Sequence, residues 1–459
     1  SALEKAVESL TDEKTRKLLG SKGRRQWEAR FAPDAVNQEW EQRFFPPSAR
    51  KEASVRVFHR PGAFTHLLTL PPFFQSMPTK RLRPVLAIAA DLPLGRLLTS
   101  FRNKAGDDSW IFSLFHALES QEDFDIHWIT LSKAVSAAET IRMRNQTIHI
   151  LPLGSMGRNI LTAHFLTVRR IRKTLNDIQP DLLHVWGVEQ AYALAGITFR
   201  GKKLLSYQGA LTAYCQRAPQ AFLLHMQALW ERMAVKHYDF ITCESPWACD
   251  RVAEIAPHAR LSCMEYGVEP SFYHLVRKPS PEPSCLFAGT IYELKGISYL
   301  VEVFTHPSLS HVQLFIAGNG ALRERLEALS TPNIHWLGSI SRAELQQRLS
   351  TAWFLAIQAL GIATAPTMQV KEGKSHGPFP VITTEEGGQT QYVQDGVSGY
   401  IVPVRNSAAV REAAQKLSVS LDKAMSMGME RHQECRRLLD VKQTVTGCLS
   451  RYHTMLYPR

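Results

Sequence analysis

The stretch Leu286-Phe-Ala-Gly-Thr-Ile-Tyr-Glu-Leu-Lys-Gly296 decides how the chain folds. An apolar run stops at Gly289, a short loop follows, and Lys295-Gly296 opens a helical pattern that continues to Phe304. A short apolar run closed by glycine, followed by apolar residues three and four apart, predicts a buried strand feeding a helix. The unit recurs. Strands are predicted over Cys285–Gly289, Val312–Gly318, Asn333–Gly338, Trp353–Ile357 and Pro380–Thr384. Helices are predicted near Gly296–Phe304, Leu322–Leu329, Arg342–Leu349 and Val370–Ser375. Strands that alternate with helices build a parallel sheet covered on both faces.

Upstream the same texture begins at Pro84. Pro84–Ala90, Asp125–Leu131, Thr147–Pro152 and Asp181–Trp186 read as strands, and Trp110–Glu119 as a helix. Leu161, Phe165, Val168, Ile171 and Leu175 keep the spacing of one helix. The Pro-rich segment His274–Ser284 reads as a linker between two α/β domains. Boundaries are expected at 1–80, 81–278, 279–425 and 426–459. The first piece, punctuated by Pro46-Pro47, Pro61-Gly62 and Pro71-Pro72, is an irregular N-terminal extension. The last is helical and returns towards the first domain. Facing doubly wound domains bind ligands in the cleft at the carboxyl ends of their strands.

The 459 residues are 44% hydrophobic and 21% charged, which fits a globular chain and excludes wholesale disorder. No apolar run reaches the roughly 20 residues needed to span a bilayer. Ser1–Lys17 is charged and lacks the apolar centre of a secretory signal. The seven cysteines are odd in number and form no Cys-x2-Cys pair, so buried reduced thiols are expected rather than a disulfide framework or zinc ribbon. A cytoplasmic protein follows. The net charge of +12 favours acidic partners such as phosphorylated small molecules or anionic lipid headgroups. No nucleic-acid-binding motif is present. Arg158, Arg169, Arg170, Arg172 and Lys173 flank the first domain's amphipathic helix and suit the inner face of a membrane.

Further motifs fall in order: Leu314-Phe-Ile-Ala-Gly-Asn-Gly320, His335-Trp-Leu-Gly-Ser-Ile340, Thr364-Ala-Pro-Thr-Met-Gln-Val-Lys-Glu372, Pro380-Val-Ile-Thr-Thr-Glu-Glu-Gly-Gly388 and Gly399-Tyr-Ile-Val402. The first half offers His184-Val-Trp-Gly187, Ser206-Tyr-Gln-Gly209, Cys243-Glu-Ser245 and Glu265-Tyr-Gly-Val-Glu269. In this order and spacing, over roughly residues 84–425, the chain resembles the retaining, GT-B-fold glycosyltransferases of family 4 (glycosyl transferases group 1).

The resemblance implies an α/β protein of two Rossmann-like doubly wound domains facing across a cleft. The acceptor side is 81–278 and the nucleotide-sugar side 279–425. It implies metal-independent transfer of a hexosyl group, with retention, from a nucleotide-diphosphate sugar to a glycan or lipid-linked acceptor, as in surface polysaccharide synthesis. No cofactor and no metal are implied. Lys295 would hold the leaving diphosphate and Glu372 the ribose hydroxyls, for which an acceptor-only carboxylate is suited. Gly289, Thr290, Thr367, Gly387 and Gly388 would complete the nucleotide-sugar site, and Asp91, His184 and Gln208 would face the acceptor. Thr290 stands where the family has arginine, and neither Ala363 nor Thr364 supplies the family's first acidic residue. These departures keep open the alternative of a non-catalytic binding or scaffold protein on a degenerate GT-B frame.

Overall fold

The computed structural model describes residues 83–101, 111–217, 222–268, 276–357, 379–430 and 432–458. The expected extension 1–80 and the helix expected over Val370–Ser375 lie outside them. Residues Arg81–Arg459 form one compact unit.

Its first sheet contains β1 Val85–Ala89, β2 Asp125–Ser132, β3 Glu139–Met143, β4 Gln146–Pro152, β5 Leu182–Trp186, β6 Lys202–Tyr207, β7 Phe240–Cys243 and β8 Arg260–Cys263. The spatial order is β3-β4-β2-β1-β5-β6-β7-β8. The second contains β9 Ser284–Ala288, β10 Gln313–Ala317, β11 Ile334–Gly338, β12 Phe354–Ile357, β13 Val381–Thr384 and β14 Gly399–Val402, in the order β11-β10-β9-β12-β13-β14. Both orders are doubly wound, with the direction of winding reversing beside β1 and beside β9. Central strands such as β1, β5 and β12 are buried at every residue, as a sheet covered on both faces requires.

One strand departs from the parallel expectation. β3 pairs antiparallel with β4. Its sequence Glu-Thr-Ile-Arg-Met is half charged or polar and forms an exposed sheet edge, so no buried apolar run announces it. The helix expected across Leu161–Leu175 is also broken in two, Met156–Leu161 and Phe165–Ile178. Ala163 and His164 between them are left-handed, at φ 47° and 56°. Only Val168, Ile171 and Leu175 of the expected stripe are buried, while Leu161 and Phe165 are exposed.

The chain leaves the first sheet through Met264–Val268 and returns beside it. Val268 N donates to Leu439 O at 3.0 Å, and Gly267 N to Thr444 Oγ1 at 2.8 Å. A Cβ on Gly267 would lie 2.4 Å from the Val441 backbone, so only glycine fits this crossing. Helix His432–Leu438 packs with the second sheet through Cys435. Helix Val441–Leu456 inserts Cys448, Tyr452 and Met455 into the core of the first sheet beside Phe124 and Tyr266.

A buried polar chain fixes that helix. Tyr452 OH lies 2.6 Å from His184 Nδ1, His184 Nε2 lies 2.7 Å from Ser206 Oγ, and Ser206 Oγ lies 2.8 Å from Thr242 Oγ1. His184 has no exposed surface, and burial drives its pKa down to about 3, so the ring is neutral. Both ring nitrogens of His184, expected on the acceptor side, are taken by protein hydroxyls in the core. Tyr452→Phe is expected to lower stability by about 1–3 kcal/mol in chemical denaturation, because it strands a buried imidazole nitrogen. Nucleotide binding should be unchanged.

Candidate active site

The second sheet presents its site at the carboxyl end of β9. Gly289 N donates to Ala317 O and Ile291 N to Asn319 O, both at 2.9 Å, so the loop after β9 lies against the loop after β10. The contact is tight: a Cβ on Gly318 would stand 1.9 Å from Gly289 O. Thr290 is exposed on this loop, and Gly289 is half-buried. A single 3-10 turn, Glu293–Lys295, then enters helix Ile297–Phe304 through Gly296 in the left-handed conformation.

Lys295 therefore stands at a helix N-terminus. Burial pushes its pKa below the ordinary lysine value, and among the described residues no carboxylate pairs with it. A partly buried ammonium beside the positive end of a helix is doubly unfavourable until an anion arrives. Gly387, at φ 94°, and Gly388 begin the turn after β13 on the same sheet edge. Thr367 and Glu372 lie outside the described residues.

The first sheet answers with β1, β5 and β6. Asp91 follows β1 and accepts from Tyr192 OH at 2.7 Å and from Gln190 Nε2. Although part of the residue is open to solvent, the protein packed round its carboxyl raises the pKa. Gln208 follows β6 and is half-buried, its Oε1 3.5 Å from where a Gly187 Cβ would be. Thus Asp91 and Gln208 share one rim, and His184 is withdrawn from it. The loop beyond Gln208 is anchored by buried Glu231, which accepts from Tyr207 OH at 2.6 Å, Leu211 N at 3.0 Å and Thr212 N at 2.6 Å.

The residue that sequence reasoning missed is Glu189. Its carboxyl lies between Gly187 and Gly209: Cβ atoms there would come within 2.6 Å of Oε2 and 2.3 Å of Oε1. Oε2 accepts from Val188 N at 2.9 Å. Burial, reinforced by the neighbouring charges of Glu231 and Asp91, raises the Glu189 pKa to about 8. With its pKa near 8 the carboxyl is largely protonated at neutral pH, and it can both donate and accept a hydrogen bond. Its sequence signal was an acid two residues beyond a strand-ending glycine.

Tyrosines connect the two rims. Tyr214, beyond β6, is held in its neutral form by burial and by the nearby Tyr292 and Glu189. Tyr292 carbonyl in turn accepts from Lys295 N at 3.1 Å. Tyr214 of the first half therefore lies near Tyr292 of the second. At the other end of the seam Tyr392 OH donates to Glu265, and Gln391 Nε2 donates to Glu244 O at 3.1 Å.

Residues 282–419, the stretch built around β9 to β14, match the family model for Glycosyl transferases group 1. That stretch of the chain resembles a group 1 glycosyltransferase domain. No curated protein matches it in sequence. Among solved structures, the sucrose-phosphate synthase of Thermosynechococcus elongatus matches with a TM-score of 0.67 and 16% identity, over 82% of this chain and 100% of that one. A trehalose-6-phosphate synthase matches at 0.62 and 10%, over 80% and 98%. Anabaena HepE, in complex with UDP and glucose, matches at 0.59 and 10%, over 81% and 100%. The likeness at these identities is one of fold, and that fold is GT-B.

The position of Glu189 sets a pH dependence. Its folded pKa, about 8, lies above the ordinary 4.5, so stability is fully present below pH 4.5 and is lost as pH rises through about 8. The slope in that window has an upper limit of about 1.4 kcal/mol per pH unit. Glu189→Gln should flatten it, which thermal melting between pH 5 and pH 9 measures.

Proposed function

We propose that this glycosyltransferase moves a hexosyl group from a nucleotide-diphosphate sugar to a glycan or lipid-linked acceptor, with retention and without a metal. The observation that carries the reading is Lys295, a desolvated cation at a helix N-terminus with no carboxylate partner among the described residues. A diphosphate there would relieve the cost of its burial, and the charge that grows as the sugar departs would strengthen the contact. Glu372 is assigned to the ribose, and the backbone about Gly289, Thr290, Thr367, Gly387 and Gly388 to the rest of the donor. Asp91, Gln208 and the neutral Glu189 are assigned to acceptor hydroxyls. HepE, similar in fold, is seen with UDP, which makes uridine the first base to try.

Calorimetry with UDP, GDP and ADP in EDTA tests this. One nucleotide should bind, and Lys295→Ala should weaken it by at least about tenfold, or about 1.4 kcal/mol. Affinity should fall as pH rises, earlier than for an ordinary lysine, because the lowered pKa removes the ammonium sooner. Failure of the folded protein to bind any of the three overturns the transferase reading and leaves the scaffold.

We also assign the partner surface to the helices Met156–Leu161 and Phe165–Ile178. Leu161, Phe165 and Leu166 are exposed, as are Phe222 and Leu223 on the adjoining helix Phe222–Val235. Arg158, Arg169, Arg170 and Lys173 are exposed around them, and no acidic residue occurs from Leu153 to Asn176. Arg172 instead turns inward to Leu194 O. Apolar side chains ringed by cations suit an anionic bilayer surface. Among the described residues no helix is long and apolar enough to cross a membrane, so attachment from the inner, cytoplasmic face is the arrangement proposed. In vesicle sedimentation, binding to phosphatidylglycerol vesicles and not to phosphatidylcholine alone is expected. Arg169→Glu with Arg170→Glu should abolish it, and Phe165→Ser with Leu166→Ser should weaken it.

A further inference from the structure

The expectation that all seven thiols are buried fails at half-buried Cys215 and at one cluster. All are free, but Cys263 is exposed and Cys249 half-buried, while Cys243 lies beneath them in the core. Cys263 ends β8, an edge strand, and Cys249 sits in helix Pro246–Ile255 above it. Cys249 Sγ and Cys263 Sγ are 3.4 Å apart. Hydrogen bonds from Cys243 and Cys263 lower the Cys249 pKa to about 7, while burial and the same bonds raise those of its neighbours. Of the three thiols, Cys249 is the one whose ionisation its neighbours favour, and the thiolate is the reactive form of cysteine. Among the described residues no group of three or more His, Cys, Asp or Glu is arranged to hold a metal ion.

We propose that Cys249 and Cys263 are a hydroperoxide-reactive pair that closes to a reversible disulfide. The Cys249 thiolate attacks one oxygen of a hydroperoxide, the O–O bond breaks, and the alkoxide leaves and takes up a proton as an alcohol. Cys249 becomes a sulfenic acid. The Cys263 thiol gives up its proton and attacks that sulfur, the S–O bond breaks, and water departs. Two thiols are oxidised by two electrons and one hydroperoxide is reduced to alcohol and water. The sulfurs need approach only to the roughly 2 Å of a disulfide, and a side chain on an exposed strand end has room to turn.

The place gives the bond a reach beyond itself. Helix Pro246–Ile255 is capped by Ser245, next to the Glu244 carbonyl that holds Gln391. Cys263 is two residues before Glu265, which holds Tyr392. A disulfide here would bind together the two segments through which the first sheet meets the turn after β13.

Treatment of the full chain with hydrogen peroxide tests the proposal, independently of any transferase activity. Expected are an intact mass lower by two hydrogen atoms, a Cys249–Cys263 peptide in non-reducing maps, and reversal by dithiothreitol. Cys263→Ser should accumulate a sulfenic acid at Cys249 that a 1,3-dione traps. Cys249→Ser should react at least about tenfold more slowly. Near-ultraviolet circular dichroism verifies that both variants are folded. A different pair in the peptide map, no mass loss, or unchanged reactivity in folded Cys249→Ser would overturn the assignment.

Discussion

The joining of the two sheets depends on the crossing at Gly267. There the chain passes out of the first sheet within hydrogen-bonding distance of the segment by which it comes back, and a side chain larger than hydrogen would strike the Val441 backbone. Two doubly wound sheets joined by one strand of chain could adopt many relative orientations. Joined by two, pressed together at a glycine, they have far fewer. The rims of the site follow from that constraint, since neither sheet alone carries both Glu189 and Lys295.

The strands were legible because burial on both faces leaves an unmistakable trace. β1, β5, β9 and β10 were each readable as apolar runs ended by a small or polar residue. β3 was not, since an edge strand is selected to be charged and half-exposed, the opposite of the signal sought. The break at Ala163-His164 was invisible for another reason. Periodicity reports which residues are apolar, and here apolar residues continue across the break because several serve an outer surface rather than the core.

The site was legible in proportion to how locally it is made. Lys295 and Gly289 belong to one turn and could be read from it. His184 could not be placed, because the groups that occupy its ring arrive from Tyr452 and Ser206, far along the chain. Glu189 escaped notice because its altered acidity comes from Gly187, Gly209, Asp91 and Glu231, which only the folded sheet brings together. A carboxyl beside a strand end is ordinary in sequence; what distinguishes this one is the close packing and the other carboxyls gathered round it.

The insertion of Tyr452, Cys448 and Met455 into the first sheet's core bears on how the protein is made. A ribosome delivers β1 to β8 long before helix Val441–Leu456, so the first α/β layer emerges with an open apolar seat beside Phe124 and Tyr266. The second layer is complete in sequence earlier than the first is complete in space. Assembly is therefore not sequential in the order of synthesis. The nascent first layer waits, partly uncovered, until helix Val441–Leu456 has emerged.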